Sequence, residues 1–290
     1  MTATGPWGAM RPQTDFARRV MAASPSPISV FDPVLCELVY RWYCPPGGLV
    51  FDPFAGGSVR GIVASLLGRQ YIGIDVRAEQ IEANAIQWDR IKSTPHAGSV
   101  LGSTPIEHPA PVWHCGDSRK LAQIVPGIEA DLIFSCPPYS DLERYGDDPR
   151  DLSTMNWDEF LGAYTQIITT SCALLKPDRF ACFVIGDVRD RRTGFLRGLP
   201  ARTIAAFESA GLGFYNDAVL IPPVGSLPLR AVRPFETARK LGRAHQNVVI
   251  FVKGDPKRAT EAIGDVETGD PYDDGEPSAS PAGSATPVEE

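Results

Sequence analysis

The chain has 290 residues, of which 43% are hydrophobic and 22% charged, a composition typical of a globular protein with a sizeable core. We expect no membrane partner, because no stretch approaches the ~20 apolar residues of a membrane helix. We also expect no secretory signal. Six cysteines without a CxxC pair argue against a disulfide framework, a zinc site or a redox pair. The sequence therefore predicts a cytoplasmic protein with reduced thiols and no bound metal.

The net charge of −7 is unevenly distributed along the chain. Residues 261–290 hold nine acids and no Lys or Arg, which leaves 26 of the 35 acids against all 28 bases elsewhere. Between Arg179 and Arg258 there are 14 basic and six acidic residues. Such a region can meet a polyanion, although a solvated charged face is the simpler interpretation of charge alone.

Short apolar runs alternate with helical patterns after a predicted helix over residues 31–43. Strands are predicted at residues 49–52, 71–75, 112–115, 131–134, 180–185, 218–221 and 248–252. Helices are predicted between them at residues 59–67, 77–91, 157–174 and 201–209. This alternation predicts a single Rossmann-like α/β domain: a seven-stranded, mostly parallel sheet, its last strand antiparallel, with helices on both faces.

The domain is predicted to span residues 29–260, between a flexible segment at 1–28 and a disordered acidic tail at 261–290. Residues 222–247 form a long connection before the last strand. A loop of this length is uncommon in a compact domain unless it is functional or disordered. We expect it to contact nucleic acid through its basic side chains, and a solvated surface loop is the alternative. These side chains are Arg230, Arg233, Arg239, Lys240 and Arg243.

Three motifs follow the first three predicted strands, where ligands of open parallel sheets bind. The first is a glycine-containing turn that lets a ligand approach the backbone at a helix N-terminus. It consists of Asp52, Pro53, Phe54, Ala55, Gly56 and Gly57. Asp75 ends the second strand and suits ribose hydroxyls, with a helix N-cap as the alternative. Asp117 and Ser118 follow the third strand and either contact an adenine or cap a helix.

The fourth predicted strand runs into a segment that suits a planar exocyclic amine. Its residues are Ser135, Cys136, Pro137, Pro138 and Tyr139. The prolines have no N–H, so the carbonyls beside them are free to accept amino hydrogens. Tyr139 offers a flat face on which a base could stack, although it could also be a core aromatic.

Four features taken together resemble the amino-methyltransferases of DNA. They are DPFAG after a strand, an acid that ends the next strand, GDS, and a tetrapeptide that ends in PPY. Further similarity to a phage or prophage set of DNA methylases runs through residues 141–145, 225–230 and 245–253. The resemblance covers roughly residues 29–260. It implies S-adenosylmethionine as cofactor, DNA as partner and methyl transfer to cytosine N4 or adenine N6. It also implies that the stretch from Ser29 to Pro33, with Phe31, contacts the cofactor, and it suggests a role in DNA modification or restriction–modification in a bacterial or phage-infected cell.

Cys136 is where the chain departs from that family, whose tetrapeptide begins with Asp, Asn or Ser. Cysteine is a poor acceptor for an amino proton, which leaves the target base open and leans slightly toward cytosine N4. One alternative is cytosine C5 methylation with Cys136 as nucleophile. Others are an RNA or protein amine methyltransferase and a catalytically inactive nucleic-acid-binding module. A homodimer is a further possibility.

Overall fold

The computed structural model of the chain describes residues 31–92, 108–139, 146–221 and 227–266. Seven strands within these ranges form one sheet in the order β3-β2-β1-β4-β5-β7-β6. They are β1 (Leu49–Asp52), β2 (Gln70–Asp75), β3 (Val112–Cys115), β4 (Ala130–Ser135), β5 (Leu175–Ile185), β6 (Gly213–Leu220) and β7 (Gln246–Lys253). Strands β1 to β5 pair in parallel, while β7 is antiparallel to both β5 and β6. The predicted Rossmann-like α/β sheet, with its last strand antiparallel, is therefore confirmed.

Eight α-helices accompany the sheet in the described part of the chain. They are α1 (Pro33–Tyr43), α2 (Val59–Leu66), α3 (Ala78–Lys92), α4 (Leu121–Ile124), α5 (Trp157–Leu174), α6 (Leu199–Ser209), α7 (Leu227–Ala238) and α8 (Pro256–Ile263). Two short 3₁₀ helices lie at Ser118–Lys120 and Leu152–Thr154.

The central strands are buried on both faces, because alternate side chains enter different apolar clusters. Phe51, Ile133 and Phe183 pack with helices α4, α5 and α6. Val50 and Leu132 point the other way and pack with α1, α2 and α8. Helices that cover both faces leave the carboxyl ends of the parallel strands as the edge where a ligand can approach.

Two predicted segments differ from the structure. The connection at 222–247 is predicted as a loop, but residues 227–238 form helix α7. The acidic tail was predicted to begin at residue 261, but helix α8 continues to Ile263 after an N-cap at Asp255. The predicted flexible segment 1–28, residues 141–145 and 225–226 of the phage-like similarity and most of the tail lie outside the described residues.

Candidate active site

The turn after β1 has the open backbone that the sequence predicts. Gly56 has a φ of +49°, a conformation that favours glycine. A Cβ atom placed on Gly56 or Gly57 would meet no described atom within 4 Å. The turn is held from behind, because Asn84 of α3 donates to the Gly56 carbonyl at 2.8 Å. A ligand can therefore approach this backbone closely without displacing a side chain.

Asp75 lies beside that turn, as its position at the end of β2 predicts. Its carboxylate accepts hydrogen bonds from the amides of Gly56, at 3.0 Å, and Arg77, at 2.8 Å. Burial raises the pKa of this carboxyl above its usual value. Since a carboxylate has about four lone-pair sites, two amide bonds leave room for hydroxyl donors from a ligand.

Asp117 and Ser118 are tied to their surroundings at the end of β3. Asp117 caps the following 3₁₀ helix and holds the Arg119 side chain at 2.7 Å. Partial burial acts to raise the pKa of Asp117, but the hydrogen bonds and the charge of Arg119 outweigh this effect and lower that pKa. The Ser118 hydroxyl donates to the carbonyl of Pro53 at 2.6 Å, which joins the third strand to the glycine turn. The capping alternative thus holds for Asp117, whose proposed adenine contact stays a prediction.

Asp52 lies beneath the turn and is completely buried. Its carboxylate accepts from the Phe54 amide at 3.1 Å and the Tyr71 hydroxyl at 2.8 Å. It also accepts from Arg60 Nε at 2.6 Å and the Ser135 hydroxyl at 2.5 Å. These four donors are all internal, so Asp52 supports the turn from inside rather than facing its open side.

Arg60 is the functional neighbour that the sequence analysis missed. Its Nη2 donates to the carbonyls of Phe54 and Ala55, both at 2.8 Å, so the guanidinium shapes the turn directly. The same group lies 4.6 Å from the ring centroid of Phe31, the predicted cofactor-contacting aromatic. The signal in the sequence is that Arg60 is the lone charged residue of the mostly apolar helix α2.

The segment from Ser135 to Tyr139 begins at the last residue of β4, which pairs directly with β1. Ser135 is completely buried, and its bond to Asp52 connects the two strand ends. Pro137 is buried, whereas Pro138 and Tyr139 are partly exposed. The Tyr139 hydroxyl accepts a hydrogen bond from Gln246 of β7 at 2.5 Å, and the Cys136 sulfur lies 3.8 Å from it. The structure therefore brings the glycine turn and the tetrapeptide together at one edge.

The five predicted DNA-contacting side chains divide into two groups. Arg230, Arg233 and Arg239 are exposed, on α7 or directly after it. Lys240 instead lies against Gly194, and Arg243 donates to Asn247 at 3.0 Å from a partly buried position. Lys240 and Arg243 turn toward the protein because the chain there rejoins the sheet at β7.

The described residues also bear on the expected absence of a membrane span and of a metal. None of their helices combines the length and apolarity needed to cross a membrane. In the same residues, no three His, Cys, Asp or Glu side chains come together in a way that could hold a metal ion.

Comparison with known families gives one match, to a model described as DNA methylase. Residues 33–86 match this family. The matched segment runs from α1 through the glycine turn and Asp75 into α3. It confirms the resemblance to DNA methylases for that part of the chain, while the similarity to phage methylases stays a prediction. No curated protein matches the chain.

Three solved structures show a distant similarity to the chain. The magnesium protoporphyrin IX methyltransferase of Synechocystis PCC 6803, with bound SAH, is 10% identical, with a TM-score of 0.46 over 72% of this chain and 75% of that one. A TehB-like SAM-dependent methyltransferase of Corynebacterium glutamicum is 14% identical, with a TM-score of 0.44 over 82% and 96%. A candidate DNA modification methylase of Thermus thermophilus is 19% identical, with a TM-score of 0.36 over 48% and 52%. Similarities this distant do not indicate a substrate for the present chain.

Proposed function

We propose that the chain transfers a methyl group from S-adenosylmethionine to the exocyclic amine of a DNA base, cytosine N4 or adenine N6. One observation carries the proposal: an open glycine turn and a CPPY segment end neighbouring parallel strands and are joined by the Ser135–Asp52 hydrogen bond. This arrangement supports a site that accepts two ligands side by side. Holding two reactants in a fixed geometry is itself a large part of catalysis.

The residues around the glycine turn fit the proposed cofactor. The backbone of Gly56 and Gly57 is open to space, so it can receive the amino-acid part. Asp75 presents a carboxylate beside the turn, suited to the two hydroxyls of a ribose. Phe31 lies above the Arg60 guanidinium at the same turn. The bound cofactor supplies a methyl group on a sulfonium.

The CPPY segment fits the proposed target. A base that leaves the duplex needs a face on which to stack, and the partly exposed Tyr139 ring supplies one. Because Pro137 and Pro138 carry no N–H, the segment offers carbonyl oxygens to the amino hydrogens. We expect no strong base to be needed, since the amine becomes acidic only after methylation and its proton then passes to water.

Helix α7 supports a nucleic acid as the partner. Arg230, Arg233 and Arg239 are exposed, so their charges are available to phosphates. The helix also leads into β7, whose first residue, Gln246, contacts Tyr139. DNA held on this surface would therefore lie next to the proposed stacking face.

The test is methyl transfer from isotopically labelled S-adenosylmethionine to DNA of mixed sequence, with RNA and protein as parallel substrates. We expect labelled N4-methylcytosine or N6-methyladenine in nucleosides released from the DNA. A Tyr139→Ala variant that binds cofactor normally serves as the control for adventitious activity. Label in RNA or protein alone, or cofactor binding without transfer to any substrate, would contradict the proposal.

A further inference from the structure

The hydroxyl of Tyr139 is contacted from three different parts of the fold. Gln246 at the start of β7 donates from Nε2 at 2.5 Å. Gly186, directly after β5, lies beside this hydroxyl, which would be 3.9 Å from a Cβ atom placed on that glycine. The Cys136 sulfur, within the tetrapeptide itself, lies 3.8 Å from it. These contacts fix one end of the ring on which the base is proposed to stack.

Strand register explains why Gln246 reaches this position. Strands β5 and β7 are antiparallel, and Ile185 pairs with Asn247. The residue before Asn247 and the residue after Ile185 therefore lie opposite each other. That places Gln246 next to Gly186, at the carboxyl edge of β5. The same edge carries the tetrapeptide, because β5 pairs with β4.

The polar contacts fit the hydrogen-bonding capacity of a phenol, which can donate one bond and accept two. The amide hydrogen of Gln246 occupies one acceptor position. The Cys136 sulfur, a weak acceptor, lies within reach of the phenolic hydrogen. Burial raises the pKa of Tyr139, so the phenol keeps this hydrogen across the physiological range.

We propose that Gln246 is a positioning residue of the transfer site, which, together with the Cys136 sulfur, holds the Tyr139 ring in the orientation that stacks the target base. This inference rests on the proposed function for its substrate. It also gives Cys136 a role: its sulfur accepts the Tyr139 hydroxyl and does not need to hold the amine. Because Gln246 begins the strand that follows α7, the DNA-contacting surface and the stacking ring share one strand end.

The kinetic test compares Gln246→Leu, Tyr139→Phe and the double variant. Both single changes remove the Gln246–Tyr139 hydrogen bond, and Tyr139→Phe also removes the contact with Cys136, so each should lower kcat by about tenfold or more, while the Kd for S-adenosylhomocysteine stays within about twofold. The double variant should be no slower than the slower single variant, since one interaction cannot be removed twice. Independent effects that multiply in the double variant, or an unchanged kcat in Gln246→Leu, would overturn the inference.

The matched control is Gln70→Leu, the same change at the start of β2, the opposite edge of the sheet. It should leave kcat unchanged. Gln246→Met keeps the length of the side chain but has no N–H to donate, so it replaces the leucine variant if that one does not fold. It too should lower kcat, and a methionine variant with the wild-type kcat would contradict a donor role for Gln246.

A second readout does not depend on methyl transfer. 3-Fluorotyrosine placed at position 139 alone should show a fluorine NMR resonance that shifts in Gln246→Leu and not in Gln70→Leu. If the resonance shifts but the wild type transfers no methyl group, the Gln246–Tyr139 contact is supported and the proposed function is rejected. Transfer by the wild type with no shift would do the reverse and reject the role of Gln246.

Discussion

The Ser135 hydroxyl donates to Asp52 Oδ1 at 2.5 Å, and this buried bond joins the two halves of the candidate site. Asp52 ends the strand that leads into the glycine turn, while Ser135 ends the strand that leads into CPPY. Arg60 is held by the same carboxylate, at 2.6 Å, and in turn holds two carbonyls of the turn. One buried ion pair therefore positions the glycine turn and the CPPY segment together.

Replacement of Arg60 should destabilise the protein strongly. Arg60→Met would leave the buried Asp52 carboxylate without its charge partner, and breaking such a pair costs about 3–5 kcal/mol of unfolding free energy. Urea denaturation measures this value. Arg41→Met is the control, because its ion pair with Glu37 is exposed on both sides and contributes less than about 1 kcal/mol. Equal destabilisation in the two variants would mean that the Asp52–Arg60 pair is not a structural centre.

Much of the fold follows from local patterns in the sequence. The apolar runs of β1 and β4 and the periodicity of α5 predict those elements because each is buried on at least one face. Edge strand β6 begins at Gly213, whereas the sequence predicts a start at 218. Its first residues were missed because nearly all side chains of the strand are exposed and its sequence shows little alternation. Strand β5 begins at Leu175, whereas the sequence predicts a start at 180. The first residues do not read as a strand, because they include Pro177 and because the pairing with β4 shifts register there.

The candidate site was predicted in part. Gly56, Gly57, Asp75 and the CPPY segment follow strands, and parallel strands bring their carboxyl ends to one edge. Arg60 and Gln246 could not be placed in the same way. Each is a polar residue within a regular element, and its role depends on a partner distant in the sequence that only the folded chain brings near. The same is true of Ser135, predicted at the reaction centre but buried against Asp52.

Replacing Asp75 should weaken cofactor binding. Asp75→Asn keeps the size of the side chain but removes the charge that strengthens hydrogen bonds from ribose hydroxyls, a loss of about 1–3 kcal/mol. Calorimetry with S-adenosylmethionine measures the change. Asp89→Asn, an exposed position on α3, should bind as the wild type does. Normal affinity in a folded Asp75→Asn variant would exclude the ribose contact.

Cofactor affinity should also depend on pH through Asp75. Burial raises the pKa of this carboxyl above the ordinary value of about 3.9. Because the ionised form binds the hydroxyls, affinity should be full above the raised pKa and should fall as pH decreases through it. The contribution of Asp75 to the free energy of unfolding has the opposite pH dependence. It is complete below the ordinary pKa and is lost as pH rises through the raised pKa. Calorimetry across this range should show the decrease in the wild type and none in Asp75→Asn.

DNA binding should depend most on the exposed arginines. Replacing Arg230 and Arg233 with Ala should reduce the slope of log affinity against log salt by about 0.9 for each phosphate that the variant no longer binds. Replacing Lys240 with Ala should change this slope little, because Lys240 lies against Gly194. Fluorescence anisotropy with labelled duplexes at several salt concentrations measures both. A larger effect at Lys240 than at the two arginines would place the DNA elsewhere.

Cys136 separates amine transfer from carbon methylation. If the methyl acceptor is an exocyclic amine, Cys136→Ser should keep substantial activity, because a serine oxygen can still accept the Tyr139 hydroxyl and no covalent bond to the base is needed. If Cys136 attacks a pyrimidine ring, the serine variant should be inactive, and the wild type should be trapped on DNA that contains 5-fluorocytosine. Tyr139→Ala should lose most activity in either case, since stacking a base is worth about 1–3 kcal/mol.

Liquid chromatography with mass spectrometry of the methylated nucleoside decides the same question without any variant, with standards for retention time because N4-methylcytosine and 5-methylcytosine have the same mass. N4-methylcytosine or N6-methyladenine would support amine transfer and name the base, whereas 5-methylcytosine would contradict it. The position of the sulfur favours the amine, because it lies 3.8 Å from the Tyr139 hydroxyl and is engaged there. Cys136 follows the end of a buried strand and packs with its apolar cluster.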